Sequence, residues 1–283
     1  IQAKEGAVKG YPFLSVVDLP GVYSLSPYTA EEIVTREFLL TQKPDAIINI
    51  IDATNLQRNL YLSLQLLELE IPMVLALNMM DQVEKSGNHI NTAALEQQLG
   101  IPVIGISAAK GQGISQLIIA AQTVAQAKKL PRPIIDKNIL QHTMPQLEKI
   151  LAPAAQKEKM PVTFAAPRVL EGDSIITKQL HLTPEQQAAA KQVIAQIEQD
   201  TKLDQAAALA EMRYGQIQKL YDSAIQNFHR SQEQIITDKI DDIATHRFLA
   251  IPLFFTIMLV IFWLSFGVIG TPLSDGLATL IDK

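Results

Sequence analysis

Phe13-Leu14-Ser15-Val16-Val17-Asp18-Leu19-Pro20-Gly21 is an apolar run that closes on an acid and a proline–glycine turn. Runs of the same kind recur at Ala46–Asp52, Met73–Asn78 and Val103–Ser107, rich in Val, Ile or Leu without strict polar alternation. That composition suits strands covered on both faces, as in a mostly parallel sheet flanked by helices. Helical patterns fill the gaps. Thr29-Ala30-Glu31-Glu32 has the form of a capping box and predicts a helix to about Leu40, and others are expected over Leu56–Glu70, Thr92–Leu99 and Ile114–Lys129. Lys9-Gly10 lies between Gln2–Val8 and Tyr11–Val17 and predicts a hairpin that leads into the first of these strands.

Pro131-Arg132-Pro133 interrupts the helical pattern, because proline cannot continue a helix and biases its predecessor toward extended backbone. A domain boundary is placed there. Residues 134–247 then lose the strand signal and become rich in Ala, Gln and Glu, with Thr183-Pro184-Glu185-Gln186 as a further helix start. This reads as an all-helical unit suited to packing and coupling, since it holds no catalytic constellation. Phe248–Ile269 carries no charge over 22 residues. As one helix it would measure about 33 Å, enough for a hydrocarbon core of about 30 Å, so a transmembrane helix is expected.

The 283 residues are 48% hydrophobic, enough for a sizeable core. A formal charge of −5 leaves no broad basic face, which argues against nucleic acid as a partner. The chain contains no cysteine, so disulfides, thiolate metal sites and cysteine nucleophiles are excluded. Its five histidines, His89, His142, His181, His229 and His246, show no ligand spacing.

Three short motifs carry the chemistry. In Asp18-Leu19-Pro20-Gly21 an aspartate at a strand end can hold Mg²⁺ through water, and the glycine lets a backbone N–H approach a terminal phosphate. In Asn78-Met79-Met80-Asp81 the carboxylate can accept two hydrogen bonds from the N1–H and exocyclic amine of guanine, a pair that adenine lacks. In Ser107-Ala108-Ala109-Lys110 the Ala108 N–H can meet the guanine carbonyl while Ser107 braces the loop. Each motif alone also fits an ordinary turn or helix cap. Together they stand in order at the ends of three expected strands, 60 positions from Asp18 to Asn78 and 29 from Asn78 to Ser107. The set resembles the GTPase superfamily.

A narrower resemblance rests on Val17-Asp18-Leu19-Pro20-Gly21-Val22-Tyr23-Ser24-Leu25 and Asp52-Ala53-Thr54-Asn55-Leu56-Gln57-Arg58-Asn59-Leu60-Tyr61-Leu62. With Leu170-Glu171-Gly172-Asp173 and His246-Arg247-Phe248-Leu249-Ala250-Ile251-Pro252, these look like the ferrous iron transport protein B family over essentially the whole chain. The resemblance implies a partial GTPase domain over 1–130, a helical domain over 131–247 that slows nucleotide release, a transmembrane helix at 248–269, and the start of further membrane-domain sequence at 270–283. It implies GTP or GDP with Mg²⁺ as ligands and Fe²⁺ as cargo of the parent protein. The nucleotide-binding residues would be Asp18, Leu19, Pro20 and Gly21, then Asn78, Met79 and Asp81, then Ser107, Ala108 and Ala109, with Asp18 also at the metal. Expected partners are guanine nucleotide, the rest of a multi-span membrane domain, the lipid bilayer, small accessory iron-transport proteins and other copies in a homo-oligomer. The expected location is the bacterial inner membrane, with residues before 248 cytoplasmic.

The chain departs from the superfamily pattern in several places. No G-x-x-x-x-G-K-[ST] loop occurs in it, so the chain reads as starting mid-domain, with the phosphate loop and a switch threonine expected upstream of Ile1. By itself it is expected to bind nucleotide poorly and to be inactive in GTP hydrolysis. Met79 stands in place of a common lysine, Ala109 stands where many relatives have lysine with Lys110 one place later, and Val22 stands where small GTPases carry a water-orienting glutamine. No catalytic residue is assigned. Two other readings stay open: a membrane-tethered regulatory GTPase without transport, and a non-catalytic binding remnant.

Overall fold

The computed structural model describes residues 4–131, 140, 142–226 and 250–270. They fall into two compact units, Ile1–Phe228 and His229–Lys283. The first opens with the expected hairpin, β1 (Lys4–Val8) against β2 (Tyr11–Asp18), turning through Gly10 at φ 84°. Helix α1 (Ala30–Gln42) follows, and its capping box is present: Thr29 Oγ1 accepts from the Glu32 N–H, and the Glu32 carboxylate accepts from the Thr29 N–H at 2.9 Å. Next come β3 (Ile47–Asp52), α2 (Leu56–Leu67), β4 (Met73–Asn78), the short α3 (Met80–Lys85), β5 (His89–Ile90), α4 (Thr92–Leu99), β6 (Val103–Gly105) and α5 (Ile114–Ala127).

The sheet is parallel, in the order β3-β4-β6. Its centre is β4, and the alternation of side chains along that strand explains its unbroken apolar sequence. Met73, Leu75 and Leu77 enter the main core with Leu60, Leu64 and Leu67 of α2, while Val74 and Ala76 face Leu117 and Val124 of α5. One expectation is corrected. Phe13–Val17 forms a strand, but among the described residues β2 pairs only with β1 and does not join the parallel sheet. Phe13 is accordingly 97% exposed, and Ile50 of β3, whose strand has a neighbour on one side only among the described residues, is 59% exposed.

The same unit continues with α6 (Thr143–Lys157), α7 (Val162–Leu170), α8 (Ser174–Gln179), α9 (Pro184–Thr201) and α10 (Gln205–Ala224). Helix α9 has the anticipated start, with Thr183 and Gln186 exchanging side-chain to backbone bonds of 3.2 and 3.0 Å and Pro184 in the first turn. Helix α10 packs on α2 and α4, so the helices share a continuous core with the sheet. The region is not wholly helical: β7 (Ile225–Gln226) pairs antiparallel with β5, and the Asn91 N–H donates to the Ala224 carbonyl at 2.7 Å. The expected boundary at 131–133 lies mostly outside the described residues.

The second unit is described only over α11 (Ala250–Phe262) and a π-helical stretch, Trp263–Gly270. Thirteen α-helical residues rise about 20 Å, below the about 30 Å of a hydrocarbon core. Among the described residues no helix is long and apolar enough to cross a membrane. The start of the expected span at 248–249 and the segment 271–283 lie outside the described residues.

Candidate guanine-reading site

Strands β3 and β4 run in register, with Asp52 opposite Asn78, so both residues emerge at the carboxyl edge of the sheet. Ligands of open α/β sheets gather at that edge. After Asn78 the chain turns sharply because Met79 adopts the left-handed conformation at φ 65°, ψ 26°, which is uncommon for a residue with a side chain. Backbone bonds hold the turn: the Met80 N–H donates to the Ile106 carbonyl, and the Gln82 N–H to the Met79 carbonyl. Asp81 thereby lands in the first turn of α3.

The loop after β6 comes to the same place. Ser107 and Gln112 exchange two backbone hydrogen bonds of 3.1 Å around a 3₁₀ turn, Ala108–Lys110. Gly113, at φ 76°, returns the chain into α5, and a Cβ there would stand 2.5 Å from the Gly105 carbonyl oxygen. No other residue type fits without moving backbone. Two contacts then clasp the loops together: the Ala108 N–H donates to Asn78 Oδ1 at 3.0 Å, and Lys110 Nζ reaches Asp81 Oδ2 at 2.9 Å. Lys110 holds the Asp81 carboxyl below the ordinary aspartate range. The Ser107 hydroxyl is buried and closes no bond of standard geometry, yet it lies close enough to act in the same direction.

The structure therefore brings Asn78, Met79, Asp81, Ser107, Ala108 and Ala109 into one cluster. It differs from the sequence reading at one atom. The Ala108 N–H, expected to face a base carbonyl, is bonded to Asn78.

Asp18, Leu19, Pro20 and Gly21 lie elsewhere on the unit, after β2. Among the described residues no hydrogen bond or ion pair joins them to the two clasped loops. Asp18 and Gly21 are exposed, Leu19 packs on the core, and the Pro20 carbonyl accepts from the Thr35 hydroxyl at 3.4 Å. The segment that follows is tied down firmly. Arg58 lies over the Tyr23 ring at 4.3 Å, the Leu25 N–H donates to Gln65 Oε1 at 2.6 Å, and the Ser26 hydroxyl donates to Glu171 Oε1 at 3.0 Å. No cluster of three or more His, Cys, Asp or Glu suited to a metal occurs among the described residues.

Two groups of residues received no role in the sequence reading. Asp52 accepts from the Thr54 N–H and hydroxyl and from Asn55 Nδ2 at 2.7 to 3.0 Å, in a turn that packs against α3. Partial burial raises its pKa, but those bonds outweigh that effect and leave it lowered. The second group is a buried cluster. Glu68, the C-cap of α2, receives Arg168 Nη2 of α7 at 2.9 Å and Arg213 Nη2 of α10 at 2.7 Å, and Glu171 receives Arg168 Nη1 at 2.6 Å. Both arginines are at most 1% exposed, and Arg168 Nη1 also donates to the Ser26 hydroxyl at 3.1 Å. Burial disfavours charge on Arg213, yet the Glu68 carboxylate more than offsets it and raises the pKa. Arg36 pairs with Asp173 nearby in sequence to this cluster, linking α1 to the N-cap of α8.

Comparison with known proteins now decides the family. A profile described as Ferrous iron transport protein B matches residues 1–121, and one described as FeoB cytosolic helical domain matches residues 137–226. The GMPPNP-type complex of NFeoB from S. thermophilus superimposes with a TM-score of 0.73 at 35% identity, over 81% of this chain and 86% of that one. This chain belongs to the ferrous iron transport protein B family. A second FeoB structure, NFeoB from S. thermophilus bound to GDP, AlF4⁻ and K⁺, gives a TM-score of 0.72 at 36% identity over 77% and 85% of the two chains. Among curated FeoB proteins, the Fe(2+) transport protein A/Fe(2+) transporter FeoB fusion protein of Porphyromonas gingivalis is 34% identical over 280 residues, 94% of this chain. The Fe(2+) transporter FeoB of Legionella pneumophila strain Paris is 33% identical over 268 residues, 92% of this chain. The chain spans 33 to 34% of the length of these two FeoB relatives.

Proposed function

We propose that this chain is the guanine-reading and coupling portion of a ferrous iron transporter. The observation that carries the reading is the clasp of Asn78–Asp81 to Ser107–Lys110 at the carboxyl edge of adjacent parallel strands. An ionised carboxylate held there accepts both polar hydrogens of guanine, and adenine in its place offers no such pair of donors, which favours guanine. The depressed pKa keeps Asp81 ionised at neutral pH, and its acceptor role is lost only as pH falls below the ordinary aspartate value.

Asp18 is one exposed carboxylate at a strand end, and that donor set fits Mg²⁺, which takes one or two carboxylates and completes its shell with phosphate and water. Bound there, Mg²⁺ would neutralise phosphate charge, while Gly21 leaves its N–H open to a terminal phosphate. Nucleotide state would reach the helices through Ser26, which follows Asp18–Gly21 by five residues and is bonded to Arg168 and Glu171 of the α7 region. A change in the Asp18–Ser26 segment then shifts the balance between two arrangements of those helices, and through them a membrane domain that passes Fe²⁺. We place the protein in the bacterial inner membrane with residues before 248 on the cytoplasmic side.

The base-reading assignment is tested in the complete protein by Asp81→Asn. Preference is expected to move from guanosine to xanthosine nucleotides, because the amide donates where the xanthine carbonyl accepts. Competition binding measures it, and retained guanine preference would remove Asp81 from the site.

A further inference from the structure

The contact between Lys110 and Asp81 has a consequence for affinity. Guanine presents two donors to a carboxylate, so a full bidentate contact uses both oxygens of Asp81. One of them, Oδ2, is held by Lys110 Nζ at 2.9 Å. The ammonium is no stray surface group. Lys110 ends the 3₁₀ turn of the Ser107 loop, its N–H donates to the Ser107 carbonyl, and Gly111 at φ 67° fixes the exit of the chain. A lysine one position earlier would project about 120° away around such a turn. The one-residue shift seen in Ala109-Lys110 is therefore what aims the charge at the base-reading carboxylate.

We propose that Lys110 is an internal competitor for guanine, setting nucleotide affinity by occupying Asp81 whenever the base does not. The inference rests on Asp81 as the guanine acceptor. Its physical content is a competition: binding exchanges the Lys110 ion pair for two hydrogen bonds to the base, so the pair weakens affinity by its own net stability. The side chains are 45% and 17% exposed, which places that stability in the modest range of solvent-accessible pairs. The same exchange frees the Ser107 loop from its ion pair to α3, leaving the Ala108–Asn78 bond as its tie to the end of β4. Base occupancy and the position of that loop are thus linked.

The experiment is equilibrium titration of the complete protein with a fluorescent GDP analogue, for wild type, Lys110→Met and Lys110→Arg, at several sodium chloride concentrations. Methionine keeps the apolar stem and removes the charge, and should tighten Kd by about two- to fivefold at low salt. The gap should close as salt screens the pair in the wild type, over a range of about 0.01 to 1 M. Lys110→Arg keeps a cation and should stay near wild type. An unchanged or weaker Kd for Lys110→Met, or a gap indifferent to salt, overturns the proposal. Asp81→Asn measured alongside separates the two ideas. If it switches preference toward xanthosine diphosphate while Lys110→Met changes nothing, only the competitor role falls; if it does not switch, the base-reading assignment falls first.

Discussion

Replacing Glu68 with alanine removes a carboxylate that hydrogen-bonds to both of two buried arginines. In the native arrangement Glu68 accepts from Arg168 at 2.9 Å and from Arg213 at 2.7 Å. Without it, Arg213 retains Glu171 at 3.8 Å, beyond hydrogen-bonding distance, together with the Tyr61 hydroxyl at 3.3 Å. Arg168 keeps Glu171 at 2.6 Å and so remains paired. The loss falls on Arg213, whose Nε, like that of Arg168, is already buried without a hydrogen-bond partner among the described residues. Breaking a buried pair from one side costs about 3–5 kcal/mol, and the surviving Glu171 places Glu68→Ala near the lower end. For a unit of this size about 3 kcal/mol lowers the unfolding midpoint by roughly 6–12 °C. Urea unfolding followed by far-UV circular dichroism measures the loss directly. A loss under about 1 kcal/mol would refute the reasoning, because it would mean that water or side-chain rearrangement solvates Arg213 at little cost. Glu68→Gln, which keeps an acceptor in the same place, should lose less than alanine does.

Ser26→Ala removes a buried hydroxyl that joins Arg168 to Glu171, which still hold each other, so stability should fall by only about 1 kcal/mol. In the complete protein, however, it should uncouple nucleotide state from iron uptake, seen as transport that no longer responds to GTP; unaltered GTP dependence would remove Ser26 from the route. The Glu148 carboxyl is pushed above the ordinary glutamate range by burial and then by Glu70, so its ionisation opposes folding. A raised acid pKa favours the fold below the unfolded-state value and loses that benefit as pH rises through the folded one, so Glu148→Gln should stabilise at pH 7 and match wild type near pH 3, as pH-dependent melting can check.

Much of the α/β part was legible because its signals are local. A capping box needs only Thr29 and Glu32, and the double-sided burial of β4 is written in its own unbroken run of apolar residues. The Asn78–Asp81 and Ser107–Ala109 motifs were legible for the same reason, since parallel strands deliver their carboxyl ends to one edge. Pairing across the fold was not. Whether β2 joins the parallel sheet depends on a hydrogen-bonded neighbour, not on Phe13–Val17 themselves, and the apolar run reads alike in either case. Likewise Ala108 looked free to donate to a base because nothing in its own loop announces Asn78, 30 positions earlier.

The buried arginines mark a deeper limit of the same kind. Arg168 and Arg213 lie in helices whose sequences show no constellation, and a buried arginine cannot be told from a surface one by residue type. Only the fold brings Glu68, 100 positions before Arg168, into contact with both. A neutral cluster of two arginines and two glutamates is weak as a source of stability, since apolar residues of similar volume often do as well. What such a cluster supplies is directionality: its partners must meet at fixed angles, so displacing one member moves the others. Ser26 is the member that belongs to the chain just after Asp18–Gly21, and it contacts both Arg168 and Glu171. A polar joint at that position transmits a displacement that an apolar contact, free to slide, would absorb. This is a physical reason for a costly buried network to stand between the Asp18–Gly21 loop and the helices.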